Sequence, residues 1–161
     1  MRNRKGQAAM EFLMTYGWAI LIVVIAVAAL AAFGVFSPQI NELCDAQGND
    51  FLCQGPPASV FSDGTLQVAL SNGPLGRSNI TDVTTAEGGD CTVDSWQVQD
   101  AAGDPIAEPL RAGQSFLLEV DCGAQQADTR FEDTLRIAYD LVDTGQARTG
   151  RVRLVSQVIE D

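Results

Sequence analysis

Hydrophobic residues form one long uninterrupted block near the N-terminus of this chain. From Ala19 to Phe36 the sequence contains no charged residue, and the apolar character extends back toward Gln7. Residues 7–36 would form about 45 Å of helix at about 1.5 Å per residue, whereas the hydrocarbon core of a bilayer needs only about 20 residues. The pattern therefore predicts a membrane-length helix over residues 7–36.

Beyond Thr65 the apolar residues recur with a period of two, as in strands that bury one face. A further strand is predicted over residues 80–85, and Trp96 is predicted to be a core residue. Six or so short strands, separated by Gly, Asn and Asp turns, predict an antiparallel immunoglobulin-like β-sandwich over residues 63–161. The chain is therefore predicted to be α+β. The stripes are Leu66-Val68-Leu70, Trp96-Val98, Phe116-Leu118-Val120, Leu135-Ile137-Tyr139-Leu141 and Val152-Leu154-Val158.

Residues 37–62 lie between these two patterns and are predicted to be a connector. Turn-forming residues support a loop there, namely Asn49, Asp50, Gly55, Pro56 and Pro57. The acidic stretch from Asp45 to Asp50 loosely resembles a calcium loop. It lacks glycine at the sixth position and glutamate at the twelfth, so we predict no calcium site.

Charge is distributed unevenly along the chain. The net charge is −11, from 10 basic and 21 acidic residues, and Arg2, Arg4 and Lys5 supply three of the basic ones. A surface this acidic repels nucleic acid, so DNA and RNA are excluded as partners. No basic residue follows the apolar block until Arg77, and the positive-inside rule therefore places the N-terminus in the cytoplasm and the acidic domain outside.

The four cysteines contain no CxxC pair, which argues against a zinc site. In a chain with an export signal, two disulfides are the favoured state, and four buried thiols are the alternative. Three connectivities are possible. We favour the two pairs that are nearest in sequence, Cys44 with Cys53 and Cys91 with Cys122.

Catalytic chemistry has little support in this sequence. The chain contains no histidine, the commonest general base and metal ligand, and none of the common hydrolase, phosphate-loop or HExxH motifs. We therefore predict no enzymatic activity, no cofactor and no metal site. Asn79-Ile80-Thr81 forms a glycosylation sequon, which makes Asn79 a candidate for modification on an exported domain.

A cleaved secretory signal peptide is the main alternative for the N-terminal segment. The basic head, the apolar run and the small residues Ala29, Ala31 and Ala32 would fit it. Glu11 and the long stretch before the strongly apolar run count against this interpretation.

The stretch Lys5-Gly6-Gln7-Ala8-Ala9-Met10-Glu11-Phe12-Leu13 resembles the class III signal peptide of archaeal type IV pilins. The continuation Met14-Thr15-Tyr16-Gly17-Trp18-Ala19-Ile20-Leu21 resembles the start of that family's helix. The resemblance is closer to adhesion pilins than to archaellins. It implies cleavage by a prepilin peptidase between Gly6 and Gln7, so that residues 1–6 are a leader peptide. It covers only the N-terminal segment, and the exported domain carries no comparable signature.

The resemblance also implies how the protein assembles. Its expected partners are copies of itself or sister pilins in a helical homopolymer, the prepilin peptidase, the pilus assembly platform, and the membrane before assembly. The precursor is expected in the cytoplasmic membrane with its N-terminus inside, and the mature chain in an extracellular filament. The family's usual roles are surface adhesion, cell aggregation and biofilm formation.

Cleavage would create an α-amino group at Gln7, four residues before Glu11 and on the same helix face. In a staggered bundle, the Glu11 carboxylate of one subunit can meet the Gln7 amine of its neighbour and fix the axial register. The alternative is that Glu11 simply reaches the membrane surface.

Two functional hypotheses follow. The first is a structural subunit of a type IV pilus-like filament. The second is a membrane-tethered adhesion or ligand-binding module, or a minor pilin, that does not polymerise.

Overall fold

The computed structural model describes residues 4–33, 41–55 and 58–160. The chain divides into two compact units, Met1–Gln39 and Ile40–Asp161. It is α+β, as predicted, with one long apolar helix followed by a mostly antiparallel sheet.

The first unit is the helix α1, Arg4–Ala32. It begins three residues before the predicted start at Gln7, so it runs through the predicted leader boundary. Its last turn closes with a hydrogen bond from the Phe33 N–H to the Ala29 carbonyl, 3.0 Å long. The predicted helical positions 34–36 lie outside the described residues.

The described residues of the second unit form nine strands. These are β1 (Leu43–Gln47), β2 (Phe51–Cys53), β3 (Ser59–Phe61), β4 (Thr65–Asn72), β5 (Ser78–Thr85), β6 (Ser95–Gln99), β7 (Ser115–Asp121), β8 (Arg130–Leu141) and β9 (Gln146–Ile159).

The sheet has the strand order β5-β8-β9-β3-β4-β7-β6, with β1 paired to β9 and β2 paired to β4. Every pairing is antiparallel except β3 with β9, which is a short parallel contact at Val60↔Val158 and Phe61↔Ile159. That contact joins the β5-β8-β9 group to the β4-β7-β6 group. The sheet curls around one core in a barrel-like manner.

The core is built from the inward-facing residues of both strand groups. The predicted stripes on β4, β7, β8 and β9 are all buried, and Tyr139 is 1% exposed. Strands β7 and β8 alternate buried and accessible positions throughout, because successive side chains point to opposite faces of a strand. Strands β4 and β9 alternate over part of their length, and each also contains three consecutive buried residues, at 70–72 and 154–156. Trp96 is partly buried and packs against this core from β6.

The structure corrects the predicted connector. Within the described part of residues 37–62 the chain forms β1, β2 and β3, and the compact unit begins at Ile40 instead of residue 63. The reason is Phe51, which is 2% exposed and packs edge-on against Phe116 and Tyr139 with ring centroids 6.0 and 5.1 Å away. Pro56 and Pro57, which supported the loop prediction, lie outside the described residues.

Candidate assembly helix and stapled domain

The helix α1 presents its apolar side chains to the outside of the chain. The segment Met14–Ala32 is long and apolar enough to cross a membrane, and none of it is buried within the described structure. A cleaved signal sequence would share that length and composition. Large exposed side chains include Trp18, Ile22 and Val23, which are 54–65% exposed. Exposed apolar side chains at this density require lipid or another apolar surface around them.

The predicted cleavage point lies near the start of α1. Gly6 and Gln7 are both helical, two and three residues after the first residue of the helix. The first four N–H groups of a helix have no intrahelical acceptor, and glycine has a low helix propensity, so this end of α1 is weakly held.

Glu11 lies one turn further along α1, with an exposed side chain. Its backbone carbonyl accepts a hydrogen bond from the Thr15 hydroxyl, 2.8 Å long, in addition to its place in the helix. Gln7 and Glu11 are four residues apart on one continuous helix, so they share a face, as predicted. The pairing proposed for them is between chains and remains a prediction.

Small residues line the second half of α1. Ala28 and Ala32 are one turn apart and both are exposed. Such small-xxx-small pairs let helix backbones approach closely when helices pack in lipid or against one another. This part of α1 is therefore suited to contact with another helix.

Both favoured disulfides are present in the structure. Cys44–Cys53 has a Cα–Cα distance of 6.0 Å and Cys91–Cys122 one of 4.7 Å. The first joins β1, which pairs with β9, to β2, which pairs with β4, so it links the two strand groups. The second attaches the loop after β5 to the end of β7. Disulfides of this kind fit an oxidising, extracellular environment.

The loop held by the Cys91–Cys122 disulfide is also fixed by a buried carboxylate. Asp133, 3% exposed on β8, accepts hydrogen bonds from the backbone N–H groups of Cys91 and Thr134, at 2.8 and 2.6 Å. A Cβ atom at Gly89 would lie 2.1 Å from the Asp133 carboxylate. The loop therefore packs against Asp133 only because residue 89 is glycine.

The acidic stretch rejected as a calcium loop has a structural role. Residues 43–47 form β1, and the Asp50 carboxylate accepts a 2.7 Å hydrogen bond from the Tyr139 hydroxyl. Arg148 lies 3.9 Å from the same carboxylate. Burial, followed by the hydrogen bond to Asp50, raises the pKa of the Tyr139 phenol above its usual range. The contact ties the turn between β1 and β2 to β8.

This pKa shift predicts a loss of stability in alkali. The unfolded chain ionises Tyr139 near pH 10, while the folded chain keeps the proton, so the free energy of unfolding falls as pH rises above about 10. Tyr139→Phe removes this contribution, and we expect its denaturant midpoint to change less between pH 9 and pH 11 than that of the unmodified chain. An equal change in denaturant midpoint for the two chains would contradict the contribution of Tyr139 to this pH dependence.

Asn79 does not lie in an open loop. It is half-buried on β5, opposite Asp140 of β8, and its Oδ1 atom is buried without a hydrogen-bond partner among the described residues. Thr81 is exposed at an irregularity in the β5–β8 register between Ile80 and Asp82. Glycosylation of Asn79 remains a prediction.

Comparisons with protein-family models, with curated proteins and with solved structures give no match for this chain.

Proposed function

We propose that this chain is a structural subunit of an archaeal type IV pilus-like surface filament, which polymerises through α1 and serves adhesion or cell aggregation. The observation that carries the proposal is the exposed apolar surface of Met14–Ala32, none of which is buried by the described parts of its own chain. The resemblance of residues 5–21 to pilin signal segments supplies the family.

Lipid covers the apolar surface of α1 before assembly. The valine, leucine, isoleucine and phenylalanine side chains of this segment each favour insertion by about 0.3–0.6 kcal/mol. When the chain leaves the membrane, the same side chains must be covered by other helices, because exposing them to water would lose this free energy. A bundle of sister helices, packed closely at small residues such as Ala28 and Ala32, supplies that cover.

The pair formed by Glu11 and the Gln7 amine sets the axial register of neighbouring helices. Each charge alone would be strongly destabilising in a helical core, while a pair between neighbouring subunits compensates both. The pair can form only at one axial stagger, so it selects a single arrangement of helices. The precursor would enter the cytoplasmic membrane with its N-terminus inside, a prepilin peptidase would release Gln7, and an assembly platform would extract the mature chain into the filament.

The β-domain is the part displayed on the filament surface. We propose that it is an immunoglobulin-like sandwich, and the sharing of one core by two antiparallel strand groups supports this. Its two disulfides fit a domain that works outside the cell.

The N-terminus of the extracellular protein tests the proposal. Surface fibres are sheared from cells and purified, and the mass of the chain in the fibre and membrane fractions is measured. We expect a chain that begins at Gln7 in the fibre fraction. A chain that begins at Gln7 but stays with the membrane would favour the tethered binding module. A chain that begins near Ala32, free in the medium, would overturn the filament.

A further inference from the structure

The basic residues of the β-domain are concentrated on two neighbouring strands. Every arginine that lies on a strand is on β8 or β9. Strands β2, β3, β4, β6 and β7 contain no arginine or lysine. In a chain with a net charge of −11, this separation confines the arginines of the sheet to one strand group.

The centre of that face is a line of four outward-facing residues across the sheet, which we call the arginine row. Thr84 of β5 is opposite Arg136 of β8, Arg136 is opposite Arg151 of β9, and Arg151 is opposite Gln47 of β1. All four are exposed. The row contains no carboxylate.

Arg136 and Arg151 are like charges directly opposite each other, which is an unfavourable arrangement in a sheet. Neither makes a salt bridge within the part of the chain that the structure describes. The neighbouring Arg153 differs, because it donates a hydrogen bond to Glu132 and thereby lowers the pKa of that carboxyl. Arg136 and Arg151 are therefore available to carboxylates from outside the chain.

A complementary line lies on the other strand group, and we call it the acidic row. It consists of Gln67 of β4, Glu119 of β7 and Gln97 of β6, which are opposite one another across the sheet. Both amides donate to the Glu119 carboxylate. A carboxylate has about four acceptor positions and can still accept a bidentate arginine. Asp121, exposed two residues along β7, extends the negative charge.

The two rows lie on separate parts of the domain surface, because β3 stands between β9 of the arginine row and β4 of the acidic row in the strand order. Surfaces that cannot meet within one molecule can meet between two. A contact that uses different surfaces of each copy repeats from one subunit to the next and produces an open filament when it does not close into a ring.

We propose that the arginine row of one β-domain binds the acidic row of a neighbouring copy of this chain, and that this contact connects the outer domains of the filament. The inference rests on the proposed function, since assembly through α1 brings the domains together. Copies of so acidic a domain repel one another at most orientations, so opposite charges at the contact select the orientation in which they approach.

Cysteine crosslinking between the rows tests the contact. The native cysteines are all in disulfides, so two added thiols can be addressed selectively. One is Gln47→Cys, beside Arg151, and the other is Ser95→Cys, opposite Asp121. Cells that express the double variant are treated with a short bis-maleimide in their growth medium, and the fibre and membrane fractions are resolved by mass under reducing conditions.

We expect a ladder of multimers from the double variant and monomers from each single variant. Gln47→Cys with Ala112→Cys is the matched control, because Ala112 is exposed in the loop between β6 and β7, outside both rows, and it should give no ladder. Fibres without a ladder would overturn the contact but not the filament proposal. Dimers from Gln47→Cys alone would do the same, because the contact would then join two copies of one surface. A ladder without fibres would support the contact and overturn the filament, and the absence of both would overturn both.

Charge reversal in the crosslinking background is the second test. Arg136→Glu with Arg151→Glu should reduce the ladder by about ten-fold or more, because like charges would then face each other. Adding Glu119→Arg should restore at least part of the ladder. Arg111→Glu, which reverses an exposed arginine outside the rows, should leave it unchanged. Equal ladders from the Arg136/Arg151 and Arg111 variants would contradict a specific contact.

Discussion

Glu11→Gln is expected to leave the chain in the membrane while abolishing its filaments. The substitution removes the charge that the Gln7 amine would pair with, and leaves that amine uncompensated in a helical core. Breaking one member of a buried ion pair costs about 3–5 kcal/mol, which corresponds to about a hundred-fold or greater weakening of each subunit contact. The measurement is the amount of sheared fibre per cell, alongside the amount of processed chain in the membrane.

Glu42→Gln is the matched control for this experiment. It also removes one carboxylate, from an exposed residue that lies outside α1 and immediately before β1. Fibre yield from this variant should match the unmodified chain. Normal fibres from Glu11→Gln would show that Glu11 serves only to reach the membrane surface, and the register proposal would then fail.

Removal of the Cys91–Cys122 disulfide is expected to produce the largest loss of stability in the β-domain. The bond closes a sequence separation of 31 residues, for which chain entropy gives about 4 kcal/mol. The Cys44–Cys53 bond closes a separation of nine, for which the same relation gives about 3 kcal/mol. Because Cys91 and Cys122 are buried, alanine at both positions avoids leaving polar groups in the core.

The measurement is guanidinium unfolding of the processed chain in detergent, with the loss of the sheet monitored by its spectroscopic signal. The Cys91→Ala/Cys122→Ala chain should unfold at a lower denaturant concentration than the Cys44→Ala/Cys53→Ala chain, and both should unfold below the unmodified protein. A loss under about 1 kcal/mol for the first pair would mean that Asp133 holds the loop after β5 without the disulfide.

The long elements of this fold could be predicted from the sequence. The stripe Leu135-Ile137-Tyr139-Leu141 predicted one face of β8, and all four residues are buried. The unbroken apolar block predicted α1. In each case many residues repeat the same signal, so local sequence is sufficient.

The short strands could not be predicted in the same way. Strand β2 has three residues, and Phe51 alone provides its burial, so no period exists to detect. The parallel contact of β3 with β9 joins residues about a hundred positions apart, and nothing local encodes it. The arginine row has the same origin, since the alignment of Arg136 with Arg151 depends on the register of two strands.

The position of the Cys44–Cys53 bond has a mechanical consequence for a chain that is pulled by its N-terminus. Tension transmitted along the backbone enters the sheet at Leu43, the first residue of β1, and reaches a sulfur bridge at the next residue. From there the load divides between the hydrogen bonds of β1 to β9 and, through Cys53, those of β2 to β4. In a subunit under tension, the hydrogen bonds of both strand groups therefore resist the detachment of β1. In the reduced chain β1 would detach from β9 first.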